Sequence, residues 1–338
     1  MRTRAIYGCS GTALTDDERA FFSQAQPWGF ILFGRNIGDR EQVQRLVNDL
    51  RATVNDPKAP VLIDQEGGRV ARLKPPHWKE RPAAARFGAL HDIAAETAQE
   101  AAYLHARLIA HDLFDLGINV DCMPVLDVPV EGANDVIGDR ALSHDRAVVV
   151  DLGRALIEGL IDGGVLPVMK HVPGHGRAMA DSHLALPRVA TPREELSMAD
   201  FVPFRGLADC PMAMTAHVVY EAIDPKRPAT TSPRVVNEVI RGEIGFEGLL
   251  MSDDLSMKAL DGSFAARTKA AQFAGCDIVL HCNGGMDEMR DVAKEAKPLE
   301  GVALKRANAA LAHLVAPQEF DVQAGEARLA SLLGTKAA

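Results

Sequence analysis

The residues best suited to chemistry in this sequence stand at the ends of short apolar runs, where a rigid backbone can aim them. Asp253 and Asp254 directly follow one such run; one can face a reaction centre while the other caps the next helix. Lys170 and His171 end a second run, and Asp64, within Asp64-Gln65-Glu66-Gly67-Gly68-Arg69, ends a third. Arg35 and Asn36, Asp121 and Asp127, Thr215-Ala216-His217, and His281 follow four more. The segment Lys170-His171-Val172-Pro173-Gly174-His175-Gly176 leads on to Asp181-Ser182-His183. Its proline and glycines prevent a helix, so His171 and His175 do not share a helical face. Asp181 and His183 are two residues apart, close enough for a carboxylate–imidazole hydrogen bond in a turn. Such a bond fixes the tautomer and stabilises the imidazolium, as acid–base catalysis requires.

Each of these residues also has a purely structural reading. Asp64 can cap a helix or pair with an arginine of its own loop. His171, His217 and His281 each suit a hydrogen-bonded core position as well as a site. Asp181 and His183 also fit an Asx-turn with an exposed histidine. Lys170 is harder to set aside, because a lysine is rarely buried without a partner.

The elements that must position these groups alternate regularly. Eight short apolar runs, at residues 5–9, 29–33, 60–64, 119–123, 166–170, 212–215, 249–252 and 277–281, read as strands covered on both faces. Helical patterns separate them, at 39–54, 93–116, 146–163, 194–208, 235–244 and 264–274. Thr15-Asp16-Asp17-Glu18 and Thr191-Pro192-Arg193-Glu194 fit capping boxes, the second with proline at the first helical position. Asp162-Gly163-Gly164 ends a helix. Residues 74–90 are proline-rich and read as a long loop, and residues 318–338 as a peripheral helix with a frayed tail. This order predicts an α/β chain folded as a single-domain (β/α)8 TIM barrel over residues 1–338. In such barrels the active site forms at the C-terminal ends of the strands, where the polar residues above converge.

Composition narrows the partners. Of 338 residues 47% are hydrophobic, enough for a large core, and the net charge of −9 disfavours nucleic acid or an anionic membrane. Cys9, Cys122, Cys210, Cys276 and Cys282 are odd in number and scattered, as reduced buried cysteines of a cytoplasmic protein are. The first residues lack the apolar stretch of a signal peptide, and no run is long enough to span a membrane.

Taken together, the segments Ile63 to Arg72, Gly138-Asp139-Arg140-Ala141-Leu142-Ser143, Lys170 to Gly176, Asp181-Ser182-His183, Met214-Thr215-Ala216-His217 and Gly248 to Met257 resemble the family 3 glycoside hydrolases. Within that family the resemblance is to the single-domain bacterial β-N-acetylglucosaminidases of the NagZ type, and it spans nearly the whole chain. It implies Asp253 as nucleophile, His183 as general acid/base and Asp181 as its partner. It also implies that Asp64, Arg72, Arg140, Lys170 and His171 bind the sugar. Leu142 stands where an aromatic is expected, and Val172 where Phe or Ile is common; neither is a catalytic group. The implied reaction is removal of β-linked N-acetylglucosamine from anhydro-muramyl peptide fragments of the cell wall, through a covalent glycosyl-aspartate, with no metal and no cofactor. Three other readings compete. A metal-dependent hydrolase would use His171, His175, His217, His281 and Asp253, but Gly8-Cys9-Ser10 stands where a first-strand HxH is wanted. A phosphorylase would use phosphate as acceptor, which a histidine acid/base tolerates. A sugar-binding protein without activity would not need Asp253, Asp181 and His183 together.

Overall fold

The structure is a computed structural model and describes residues 1–132, 134–179 and 185–334. Among the described residues ten strands form, in chain order β1 (Thr3–Gly8), β2 (Pro27–Leu32), β3 (Val61–Ile63), β4 (Val120–Asp121), β5 (Leu166–Val172), β6 (Arg188–Val189), β7 (Met212–Thr215), β8 (Val219–Tyr220), β9 (Leu249–Asp254) and β10 (Ile278–His281). Eight of them close a barrel in the order β1-β10-β9-β7-β5-β4-β3-β2, and every pairing within it is parallel. These eight coincide with the eight runs expected from sequence. The short β6 and β8 pair with each other outside the barrel.

The two-residue period of a strand divides the core in two. Leu62, Leu166, Val168, Met212, Met214, Leu249, Met251, Ile278 and Leu280 fill the barrel interior. Their alternate neighbours, such as Ile63, Met169, Ala213, Leu250 and Val279, join the larger core under the surrounding helices. Each fully buried aliphatic side chain of this kind contributes roughly 1.5–3 kcal/mol relative to exposure. The helix Gly301–Leu311 lays Ala303, Ala307 and Ala310 against the inner core beside Trp28 and Leu299, and so stoppers the N-terminal end of the barrel.

Capping follows the sequence at Thr15, where both halves of the box form with Glu18. At Thr191 it does not. Pro192 takes the N-cap position of helix Arg193–Met198, which leaves Thr191 one residue too early to cap. The helix expected over 194–208 is two short helices, Arg193–Met198 and Val202–Gly206. Pro203, lacking an N–H, fits the first turn of the second but not the interior of one continuous helix. Residues 235–244 wind as a π-helix, Val235–Glu243, that still buries Val235, Val236, Val239 and Ile240. The expected loop at 74–90 contains the helix Ala85–His91, which buries Phe87. The C-terminal helix runs over Val322–Leu332. All five cysteines are buried as free thiols. Among the described residues no helix is long and apolar enough to cross a membrane.

Candidate active site

Three of the inward-facing rows end in charge. Leu62 is followed two residues on by Asp64, Val168 by Lys170, and Met251 by Asp253, so the period that fills the barrel also carries these three side chains to its C-terminal mouth. They line a cavity of about 280 Å³ together with Arg72, Arg140 and His171. Phe33, Met214, Met257 and Leu280 form its apolar walls. A larger groove of about 560 Å³ lies away from the mouth, between the helices Asp16–Ala25 and Met286–Ala293 beside Thr3 at the start of β1. It brings no comparable set of charges together.

Two register shifts shape the mouth. Lys170 pairs with Met214 but Val172 with Thr215, a bulge at His171. Met251 pairs with Ile278 and Asp254 with Leu280, a bulge at Ser252–Asp253. A bulge breaks the strict alternation and re-aims a side chain. Adjacent residues can then share one cavity, as Lys170 with His171 and Asp253 with Asp254 do.

Charges alternate across the floor of the mouth. Arg72 lies 2.9 Å from Asp64, Lys170 3.0 Å from Asp64 and 2.7 Å from Glu66, and Arg140 grips Glu66 with two bonds of 2.8 Å. Burial alone would raise Asp64 and Glu66. The charges of Lys170, Arg72 and Arg140 outweigh it and hold both carboxyls below the usual carboxylate range. Burial alone would likewise lower Lys170, but Asp64 and Glu66 outweigh it and keep the ammonium charged. Gly67 turns the loop behind this row at φ +98°, where a Cβ would lie 2.3 Å from the Pro82 carbonyl oxygen.

His171 donates from Nδ1 to Asp127 across 2.7 Å, which leaves Nε2 as its other hydrogen-bonding atom. Asp127 also accepts from the His175 backbone N–H at 2.6 Å. Asp253 Oδ1 accepts from the Asp254 N–H at 2.7 Å. Asp254 caps no helix. Its carboxylate accepts from the N–H groups of Ser256 and Cys282, both at 3.0 Å, and ties β9 to the end of β10. His217 and His281 do not line the cavity. His217 is fully buried with both ring nitrogens hydrogen-bonded, and His281 lies edge-on to Phe264 with Nε2 3.3 Å from Glu288. Asp181 and His183 lie outside the described residues. Among the described residues, no group of three or more His, Cys, Asp or Glu side chains could hold a metal ion.

This architecture and this mouth can be set beside known proteins. Residues 7–316 match the glycosyl hydrolase family 3 N terminal domain. The chain belongs to glycosyl hydrolase family 3. A β-hexosaminidase of Alkalilimnicola ehrlichii is 42% identical to this family 3 chain over 282 residues, covering 82% of it and 80% of the relative. One from Xanthomonas oryzae is 36% identical over 306 residues, 89% of each chain. Among solved structures, NagZ from Neisseria gonorrhoeae in complex with N-trifluoroacetyl-D-glucosamine superposes with a TM-score of 0.82 at 32% identity, over 98% of both chains.

The family 3 mouth also includes Glu66 and Asp127, which the sequence reading placed at strand ends without giving either a role. Glu66 bridges Lys170 and Arg140, and its own carbonyl is 3.0 Å from His105 Nε2, which therefore donates to it. Asp127 holds His171. The signal was present for both, since Glu66 lies two residues beyond Asp64 and Asp127 follows the fourth strand. What sequence lacked was the pairing.

Asp121, fully buried behind this row, accepts from the Gln65 N–H at 2.9 Å through one oxygen. Burial pushes its carboxyl up to about 8, so it is largely protonated at neutral pH. An acid whose folded pKa is raised costs stability progressively as pH rises from its unfolded value toward its folded one. Asp121→Asn keeps the acceptor and removes the titration. The variant is therefore expected to match wild type near pH 4 and to melt progressively higher than wild type toward pH 8. Thermal unfolding across that range checks it; a constant difference would show that Asp121 does not titrate there.

Proposed function

We propose that this family 3 hydrolase is a retaining exo-β-N-acetylglucosaminidase, with residues 1–338 acting as one catalytic domain. The observation that carries the reading is the Asp253 carboxylate, held on a strand end and facing the same small cavity as the paired Asp64, Arg72, Arg140, Lys170 and His171. The naming of its relatives as β-hexosaminidases supports the choice of sugar.

The terminal N-acetylglucosamine enters the mouth. Asp64 accepts hydrogen bonds from its hydroxyls, while Arg72, Arg140, Lys170 and His171 offer donors fixed by their buried partners. An Asp253 oxygen attacks the anomeric carbon as the bond to the leaving oxygen breaks, and His183 gives that oxygen its proton. Asp181 stabilises the imidazolium form of His183 before the transfer. His183 then takes a proton from water, whose oxygen attacks the same carbon and displaces Asp253. Two inversions give net retention. The substrate is N-acetylglucosamine linked to anhydro-muramyl peptide in cell-wall recycling, a small-molecule task in the cytoplasm that involves neither nucleic acid nor membrane.

Water is the acceptor better supported by the charges. Arg72, Lys170 and Arg140 are already opposed by Asp64 and Glu66, which leaves little net positive charge among them for phosphate. The deciding experiment follows an aryl β-N-acetylglucosaminide with EDTA, and with or without phosphate. Free N-acetylglucosamine at a rate indifferent to both is expected. Formation of the sugar 1-phosphate would replace hydrolysis by phosphorolysis, and loss of activity in EDTA would move the reading to a metal-dependent hydrolase.

A further inference from the structure

A buried chain of side chains grips the Asp253–Asp254 backbone from the outer side of the barrel, and the reaction above makes no use of it. His217 Nε2 lies 2.9 Å from the Asp254 carbonyl oxygen. A carbonyl only accepts, so Nε2 carries the ring proton. Nδ1 lies 2.7 Å from Thr230 Oγ1 and then accepts from that hydroxyl. That hydroxyl also lies 3.1 Å from the Ala216 carbonyl oxygen, a second acceptor for its one proton, and 2.8 Å from Thr215 Oγ1. Thr215 Oγ1 in turn is 3.4 Å from the Asp253 N–H, which can only donate. The chain thus starts and ends on the same two residues. Thr215, His217 and Thr230 are all completely buried.

Its position is informative. The pairing of β7 with β9 ends at Met214 and Met251, and the bulge against β10 begins immediately after. At Asp253 a side chain, Thr215, therefore stands where a strand ladder would otherwise fix the backbone. We propose that Thr230 and His217 are positioning residues for Asp253, holding the bulge so that its carboxylate stays in line with the anomeric carbon. The proposal rests on Asp253 being the nucleophile. Neither residue touches the cavity, so substrate affinity is not their concern; the distance of attack is.

The test compares Thr230→Val, which keeps the shape and removes the hydroxyl, with Thr230→Ser, which keeps the hydroxyl. His217→Gln and Asp253→Ala are run beside them on an aryl β-N-acetylglucosaminide, with thermal unfolding and inhibition by N-acetylglucosamine as further readouts. Thr230→Val is expected to lose about 10- to 100-fold in kcat, with KM and product inhibition within about twofold of wild type. Thr230→Ser is expected to recover most of the loss, and His217→Gln to repeat it should Thr230→Val not fold. Wild-type kcat in Thr230→Val and His217→Gln overturns the proposal, as does a loss shared equally by kcat, product binding and thermal stability. Asp253→Ala separates the two layers. If it is inactive while Thr230→Val is normal, only the positioning role falls; if it is active, the nucleophile assignment falls and takes the proposal with it.

Discussion

Asp253→Ala is expected to lower kcat on an aryl β-N-acetylglucosaminide by roughly 10⁴-fold or more, the scale on which loss of a covalent nucleophile is felt. Among the described residues, the other carboxylates lining the cavity are already engaged. Asp64 is held by Lys170 and Arg72, and Asp254 by the Ser256 and Cys282 N–H groups. The binding row remains intact in the variant, so inhibition by N-acetylglucosamine should change little. The space vacated by the carboxylate lies on the face of the sugar opposite the leaving group. Added azide can occupy it, attack the anomeric carbon and displace the aryl oxide, yielding the azide of inverted configuration. Rescue with that stereochemistry would identify Asp253 as the attacking group. His183→Ala offers the contrast: it should lose most on poor leaving groups, which need the proton, and little on those that depart as stable anions. A fully active Asp253→Ala would end the covalent reading.

Lys170→Met is expected to cost about 3–5 kcal/mol of stability at neutral pH, besides impairing turnover. The methionine fills much of the same space but cannot answer Asp64 and Glu66, which are left with one arginine each. Asp64 and Glu66 have folded pKa values below their unfolded ones in the wild type. The stability they contribute is fully present above the unfolded values and is lost as pH falls through the folded ones. The difference between wild type and variant should therefore be large at pH 7.5 and shrink at strongly acidic pH, as both carboxyls become neutral in either protein. Denaturant unfolding at several pH values measures it. A difference independent of pH would mean that Lys170 acts through packing rather than charge.

The barrel was legible because its strands are buried on both faces and so read as unbroken apolar runs ending in polar residues. Asp64, Lys170 and Asp253 were legible for the same reason, being charges that interrupt such runs at one end. Arg72 lies in a loop and Arg140 in the single 3-10 turn Gly138–Arg140, and only the family resemblance singled them out; the structure brings both to the cavity. What sequence could not supply was long-range pairing. Glu66 next to Lys170, or Thr230 beneath His217, depends on contacts across 104 and 13 positions of chain that no local pattern encodes. The division of residues 193–206 into two helices was missed because Pro203 sits where a proline can open a helix as well as break one.

The filled interior of the barrel bears on how the proposed reaction would proceed. A tube open at both ends could let a polymer slide through and be cut again and again without release. This one is a cul-de-sac, closed below the mouth by the side chains that fill the barrel, Leu62, Val168, Met214 and Met251 among them. A sugar must come in end first, and it must leave by the doorway it used, after the rest of the molecule has moved out of its path. On the proposed function, each visit trims a single terminal unit, and the next visit begins from an empty room.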